Sequence, residues 1–134
     1  MRKLQTLIAA MLIISSCTGN EGQVSIIPNP SAEEGTGSTV NGWTAETRGG
    51  GMTAFYDFEA HEGKRSLMLQ SNRPAGGRWM TKVKLKPYSE YRFTGWVKTE
   101  GVQTREGKGA GFRLDPFRIE YRGIEGTSDW TKIE

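Results

Sequence analysis

The chain has 134 residues, with 18 basic and 15 acidic side chains and a formal charge of +3, and two of the cations, Arg2 and Lys3, stand before an apolar N-terminal run. Without those two the balance is 16 basic to 15 acidic residues, so no nucleic acid or anionic membrane surface is demanded as partner. A single cysteine excludes an intrachain disulfide, and a domain of this size must be held by packing or by a bound ion.

Leu4 to Ile14 is apolar, and Thr18-Gly19-Asn20-Glu21-Gly22 cannot prolong an apolar helix. The run is shorter than the ~20 apolar residues of a membrane span. Its layout is that of a cleaved export signal. The tetrad Ile14-Ser15-Ser16-Cys17 resembles the lipobox of bacterial lipoproteins. That resemblance implies a signal peptide over 1–16, acylation at Cys17 and a short linker over 17–24, leaving one extracytoplasmic domain over 25–134. An ordinary secretory signal in which Cys17 is incidental is the competing reading. Acyl chains contribute ~0.8 kcal/mol per buried methylene, so several chains anchor stably where one does not. The same resemblance implies that Thr18, where an inner-membrane lipoprotein would carry a retention aspartate, leaves the anchor in the outer membrane or at the cell surface if the cell has two membranes.

The remainder reads as strands. Eighteen glycines and no apolar period of 3.6 residues argue against helices. Val24 to Ile27 opens with an apolar run that Asn29-Pro30 ends. A polar loop over 33–38 precedes a strand from Trp43 to Thr47, and Gly49-Gly50-Gly51 marks a turn. Met52 to Phe58 and Arg65 to Ser71 alternate as half-buried strands. Trp79, Thr81, Val83 and Leu85 share a face opposite Met80, Lys82, Lys84 and Lys86, with Pro87 ending the strand; the lysine row reads as a solvated face or guarded edge. Tyr91 to Lys98 is the clearest strand. Ala110 to Leu114 and Phe117 to Tyr121 flank a break at Asp115-Pro116, and Trp130 to Ile133 begins one more. Gly107-Lys108-Gly109-Ala110-Gly111 reads as a hairpin turn and not a phosphate loop, because no strand-to-helix pattern surrounds it. Short strands between glycine-rich turns predict an all-β antiparallel sandwich.

Taken in order, Asn29-Pro30-Ser31-Ala32-Glu33-Glu34-Gly35, Gly42-Trp43-Thr44, Ala60-His61-Glu62-Gly63-Lys64-Arg65-Ser66-Leu67, the run from Lys86 to Thr99 and Gly126-Thr127-Ser128-Asp129-Trp130-Thr131-Lys132 resemble the jelly-roll carbohydrate-binding modules of families 4 and 9, in the galactose-binding-like superfamily. Ala32 departs from the phenylalanine usual there, and such modules continue beyond the Asp129-Trp130 strand. The resemblance therefore implies a jelly roll lacking its last strands, as in a truncated frame or a fragment of a larger lipoprotein; a compact variant with fewer strands is the alternative. It also implies a structural calcium held by Glu33 and by carbonyls near Lys64, with the family's C-terminal acidic ligand not present. Calcium takes six to eight hard oxygens.

Sugar binding needs aromatic faces against the apolar patches of a pyranose and polar groups that orient its hydroxyls. Period-two alternation puts Tyr91, Phe93, Gly95 and Val97 on one face of a strand and Arg92, Thr94, Trp96 and Lys98 on the other. Trp96 between Arg92 and Lys98 is a candidate platform, although a loop or further strands covering Trp96 fit the same pattern. Tyr56 and Arg113 are further candidates whose faces depend on register. Trp79 reads as core, and Trp43 and Trp130 as corner residues. No nucleophile or carboxylate constellation points to catalysis, and His61 stands alone. The expectation is a non-catalytic, lipid-anchored module that binds carbohydrate at the bacterial envelope. Its rivals are a protein-interaction sandwich that docks another envelope protein, and the N-terminal piece of a larger anchored glycoside hydrolase.

Overall fold

The computed structural model describes residues 5–16, 26–57, 59–104, 109–115, 117, 119–120 and 123–134, with the backbone alone at 5–16, 55–57 and 120. Cys17, Val24, Phe58, Lys108 and Tyr121 lie outside the described residues. The fold is all-β, with no helix among the described residues. None of those residues forms a helix long and apolar enough to cross a membrane.

Eleven strands follow in chain order: β1 Gln5–Ser16, β2 Gly35–Thr36, β3 Thr39–Val40, β4 Thr44–Arg48, β5 Met52–Asp57, β6 Ser66–Ser71, β7 Gly76–Met80, β8 Tyr91–Val102, β9 Arg113–Leu114, β10 Ile119–Glu120 and β11 Gly126–Ile133. The main sheet has the order β11-β8-β1-β6-β5, all neighbours antiparallel. β4 pairs with β7, β2 with β3 and β9 with β10 as separate two-stranded sheets.

Register sorts the main sheet into two rows, because residues directly opposite in an antiparallel pair share a face. Val97, Ala9, Leu67 and Tyr56 form one such line, and Trp96 and Lys132 belong to the other. The first row is buried: Val97 is 0% exposed, and Leu67 and Leu69 are sealed beside it. Leu67 joins Ile27, Ala32, Val40 and Trp43 in the core, with Trp79, Val83, Tyr91 and Phe93 packed around them. The β4–β7 pair covers this face, where a Cβ on Gly77 would meet the Met52 sulfur. The result is sandwich-like, with the apolar contact between the two layers.

Several strands differ from the sequence expectation, among them Phe117 to Tyr121, of which β10 keeps Ile119–Glu120. β7 stops at Met80 although alternation continues to Leu85, because its partner β4 begins at Thr44, opposite Met80. Beyond that point the Thr81 hydroxyl donates to the Gly42 carbonyl at 2.7 Å, Val83 packs on the core and Leu85 is 43% exposed. Alternation without a partner cannot sustain a ladder. Ala110 to Leu114 likewise reduces to a single bridge, Ala110 to Ile124, and to the two residues of β9. Finally, the stretch read as the apolar core of an export signal is a strand in the middle of the sheet, paired with β6 from Gln5 to Ala9 and with β8 from Thr6 to Ser16.

Candidate functional site

The arrangement around Trp96 begins far away in sequence, at Asn29. This residue adopts a left-handed backbone conformation, φ 46°, which asparagine tolerates better than most. Its side-chain amide donates to the carbonyls of Glu34, at 2.8 Å, and Asn41, at 3.0 Å, while its Oδ1 accepts from the Glu34 amide. Its own carbonyl accepts from Trp43 Nε1 and from the Ala32 amide, both at 3.0 Å. One asparagine thus ties three turns together, and Trp43 is fixed in the core by its polar edge. Ala32, φ 55° and 2% exposed, occupies the tightest point of the turn.

That turn presents Glu33 to the loop before β6. Glu33 Oε1 accepts from the backbone amides of Lys64, at 2.6 Å, and Arg65, at 3.1 Å. Gly63, at φ 77°, leaves the space the carboxylate needs, since a Cβ there would run into it. The other end of the loop is held by Glu59, whose carbonyl accepts from the Ser66 hydroxyl and whose carboxylate pairs with Lys98 of β8. The Lys98 ammonium is held above its ordinary pKa, chiefly by that hydrogen bond to Glu59.

Between these two ties the loop lays His61 on Trp96. The rings stack with centroids 3.9 Å apart and an interplanar angle of 14°, and Trp130 of β11 meets the same imidazole edge-on at 5.7 Å and 74°. All three side chains are half-buried, and His61 Nδ1 is buried without a hydrogen-bond partner. Nearby on the same face, Glu134 accepts a contact from Lys132, at 2.5 Å, and faces Arg92 at 3.7 Å. The Lys132 hydrogen bond, with Arg92 adding its charge, holds the Glu134 carboxyl below the ordinary value. An aromatic trio is therefore bordered by Arg92 and Lys132 around Glu134 on one side and by the Lys98–Glu59 pair on the other.

The structure brings Trp96 and Arg92 onto one face and adds His61 and Trp130 to them. It places Tyr56 at a register position opposite Leu67, in the row of Val97 and out of step with that of Trp96. Arg113 lies on the small β9–β10 sheet, where its Nε donates to Asp115 at 2.9 Å; its neighbour Phe112 packs edge-on against Phe93, on the core side of β8. A cleft of about 500 Å³ lined by Gly50, Gly51, Met52, Thr53, Asn72 and Arg73 opens at the opposite end of β6 from Ser66. Its lining has no aromatic ring and so no stacking surface for a sugar.

Glu33 and Lys64 meet, but through an amide that donates to the carboxylate. A carboxylate oxygen accepting two N–H bonds has spent its lone pairs on donors, and only Oε2 remains to face a cation. No group of three or more His, Cys, Asp and Glu that could hold a metal occurs among the described residues. Comparison with family models, with curated proteins and with solved structures gives no match.

Proposed function

We propose that this chain is a non-catalytic jelly-roll module, anchored at the envelope through Cys17, that binds carbohydrate on the Trp96 face of its main sheet. The observation that carries the reading is the stack of His61 on Trp96 with Trp130 at its edge, bordered by charged groups. Partly exposed aromatic surface packs on the C–H patches of a sugar, and Arg92, Lys98 and Lys132 can donate to its hydroxyls. With one Trp96 face already covered by His61, the contact surface is the composite of the three rings rather than a single flat indole. The reading gives no role to Tyr56 or Arg113. It includes a structural calcium at Glu33, held by Oε2 and by carbonyls of the Gly63–Lys64 turn, which when bound would add an ionic tie to the same loop.

The test is affinity electrophoresis of the folded protein through gels containing a panel of plant and microbial polysaccharides, with and without EGTA. Retardation by one polymer, lost on Trp130→Ala while circular dichroism is unchanged, is the expected result, and EGTA should weaken it by loosening the loop. A folded protein retarded by none of the polymers would overturn the reading in favour of a protein-interaction sandwich.

A further inference from the structure

The central strand of the main sheet is the stretch that the lipoprotein reading removes. β1 runs from Gln5 to Ser16 and ends at the residue before Cys17. It is antiparallel to both β6 and β8, so these two strands are parallel to each other and a full strand apart. Two strand spacings separate them, roughly 10 Å, and no direct ladder can form across that gap. Cleavage before Cys17 therefore leaves two facing rows of unpaired amides and carbonyls in the middle of the sheet, along strands whose inner row is the most buried in the molecule. Open edges of this kind recruit another strand.

A second observation concerns what fits there. Thr99 is 1% exposed and its Oγ1 has no hydrogen-bond partner. Its register partner on β1 is Leu7, a residue with no polar group to offer. Its partner on the other side, Ser128 of β11, turns its hydroxyl to Asp129 and Thr131, so a hydroxyl at the Leu7 position of an incoming strand is what would satisfy it. At the Ala9 position, opposite both Leu67 and Val97, a small apolar residue belongs.

We propose that the slot between β6 and β8 is a strand-acceptor site. In the cleaved lipoprotein it takes an extended segment of another polypeptide, antiparallel to both strands, with a small apolar residue at the Ala9 position and Ser or Thr at the Leu7 position. The leader is its placeholder in the precursor. This rests on the lipoprotein reading only for the event that empties the slot.

The experiment uses the full chain with Cys17→Ser and a specific protease site between Ser16 and residue 17. The probe is a fluorescent peptide of the β1 sequence. After cutting and stripping the leader, hydrogen exchange in β6 and β8 should rise. The peptide should then bind and restore protection, its Ala9→Pro form should bind about tenfold more weakly because proline removes a ladder donor, and its Leu7→Thr form should bind more tightly. Should the stripped domain unfold, recovery of its circular dichroism with the β1 peptide but not with the proline form gives the same support. Unchanged exchange after stripping, equal binding of the proline peptide, recovery with neither peptide, or closure of the slot by dimerisation overturns the proposal. Mass spectrometry of the protein from membranes tests the anchor separately: an intact leader there refutes cleavage and with it the occupation of the slot by another polypeptide, whereas a missing leader with a failed peptide experiment overturns the acceptor site and leaves the anchor standing.

Discussion

On one face of β8, Gly95, Val97 and Thr99 are sealed by apolar packing, with Val97 fully buried. On the other face of the same strand, Trp96 and Lys98 are covered by a loop tied at one end by Glu33, thirty-one residues before Lys64, which grips its backbone, and at the other by Glu59, which pairs with Lys98. The first face is built from residue type, the second from directional bonds between distant segments. Packing tolerates no lost volume, whereas a tied loop can be released while the sheet beneath it stays folded. The two faces should consequently fail in different ways.

The largest effect belongs to the packed face. Leu67→Ala removes a side chain 4% exposed at the centre of the core cluster. It should cost about 2–5 kcal/mol, the range for deleting a buried leucine. The urea midpoint should fall accordingly, and both faces should be lost together in one transition. Survival of the His61–Trp96 stack after the core has melted would break the comparison.

Glu33→Ala should act on the other face alone. It deletes an acceptor of two amide hydrogens at the surface, worth about 1 kcal/mol. Exchange of the Lys64 and Arg65 amides should quicken while β6 stays protected, and tryptophan fluorescence should change slightly as the stack of His61 on Trp96 loosens, the Lys98–Glu59 pair still holding the other end of the loop. A fall in the protection of β6 as large as that in the loop would mean that the carboxylate supports the sheet and not the cover.

How far the two faces could be read beforehand follows from the same contrast. Alternation from Tyr91 to Lys98 is local, and it separated Val97 from Trp96 without any knowledge of neighbours; the all-β class followed from similar local patterns and from the glycine-rich turns. His61 and Trp130 were out of reach because their meeting with Trp96 depends on register and on a loop closure. The register of β11 on β8 slips twice, between Gly126 and Ser128 and between Ser128 and Thr131, so no count along the sequence would have aligned Trp130. Tyr56 shows the reverse. Its strand was legible, but which row it joined was decided by the pairing with Leu67. The hydrogen bonds from the Lys64 and Arg65 amides to Glu33 were likewise out of reach, since thirty-one residues separate the partners and no pattern in the residues themselves announces them. The end of β7 at Met80 teaches the same lesson, since alternation ran on and the partner did not.

The smallest effect sharpens the contrast by pH. Lys98 binds its proton more tightly in the folded chain, chiefly through its hydrogen bond to Glu59, with the charges of Glu59, Asp129 and Glu100 adding to it and desolvation opposing. A raised pKa stabilises the fold fully below the unfolded lysine value of about 10.4, and that contribution disappears as the pH climbs through the folded value. Lys98→Met should accordingly be less stable than the parent at pH 8, with the gap narrowing as the solution becomes strongly alkaline. Because the pair is solvent-screened, its share of stability is slight. Its effect on the loop is the more telling readout. Glu59 is the tie at one end and Glu33 at the other, so the fluorescence of Trp96 in the Glu33→Ala background should become alkali-sensitive, whereas in the parent the second tie keeps His61 in place. Equal alkali sensitivity in both backgrounds would show that Lys98–Glu59 alone sets the cover and that Glu33 does not share the load.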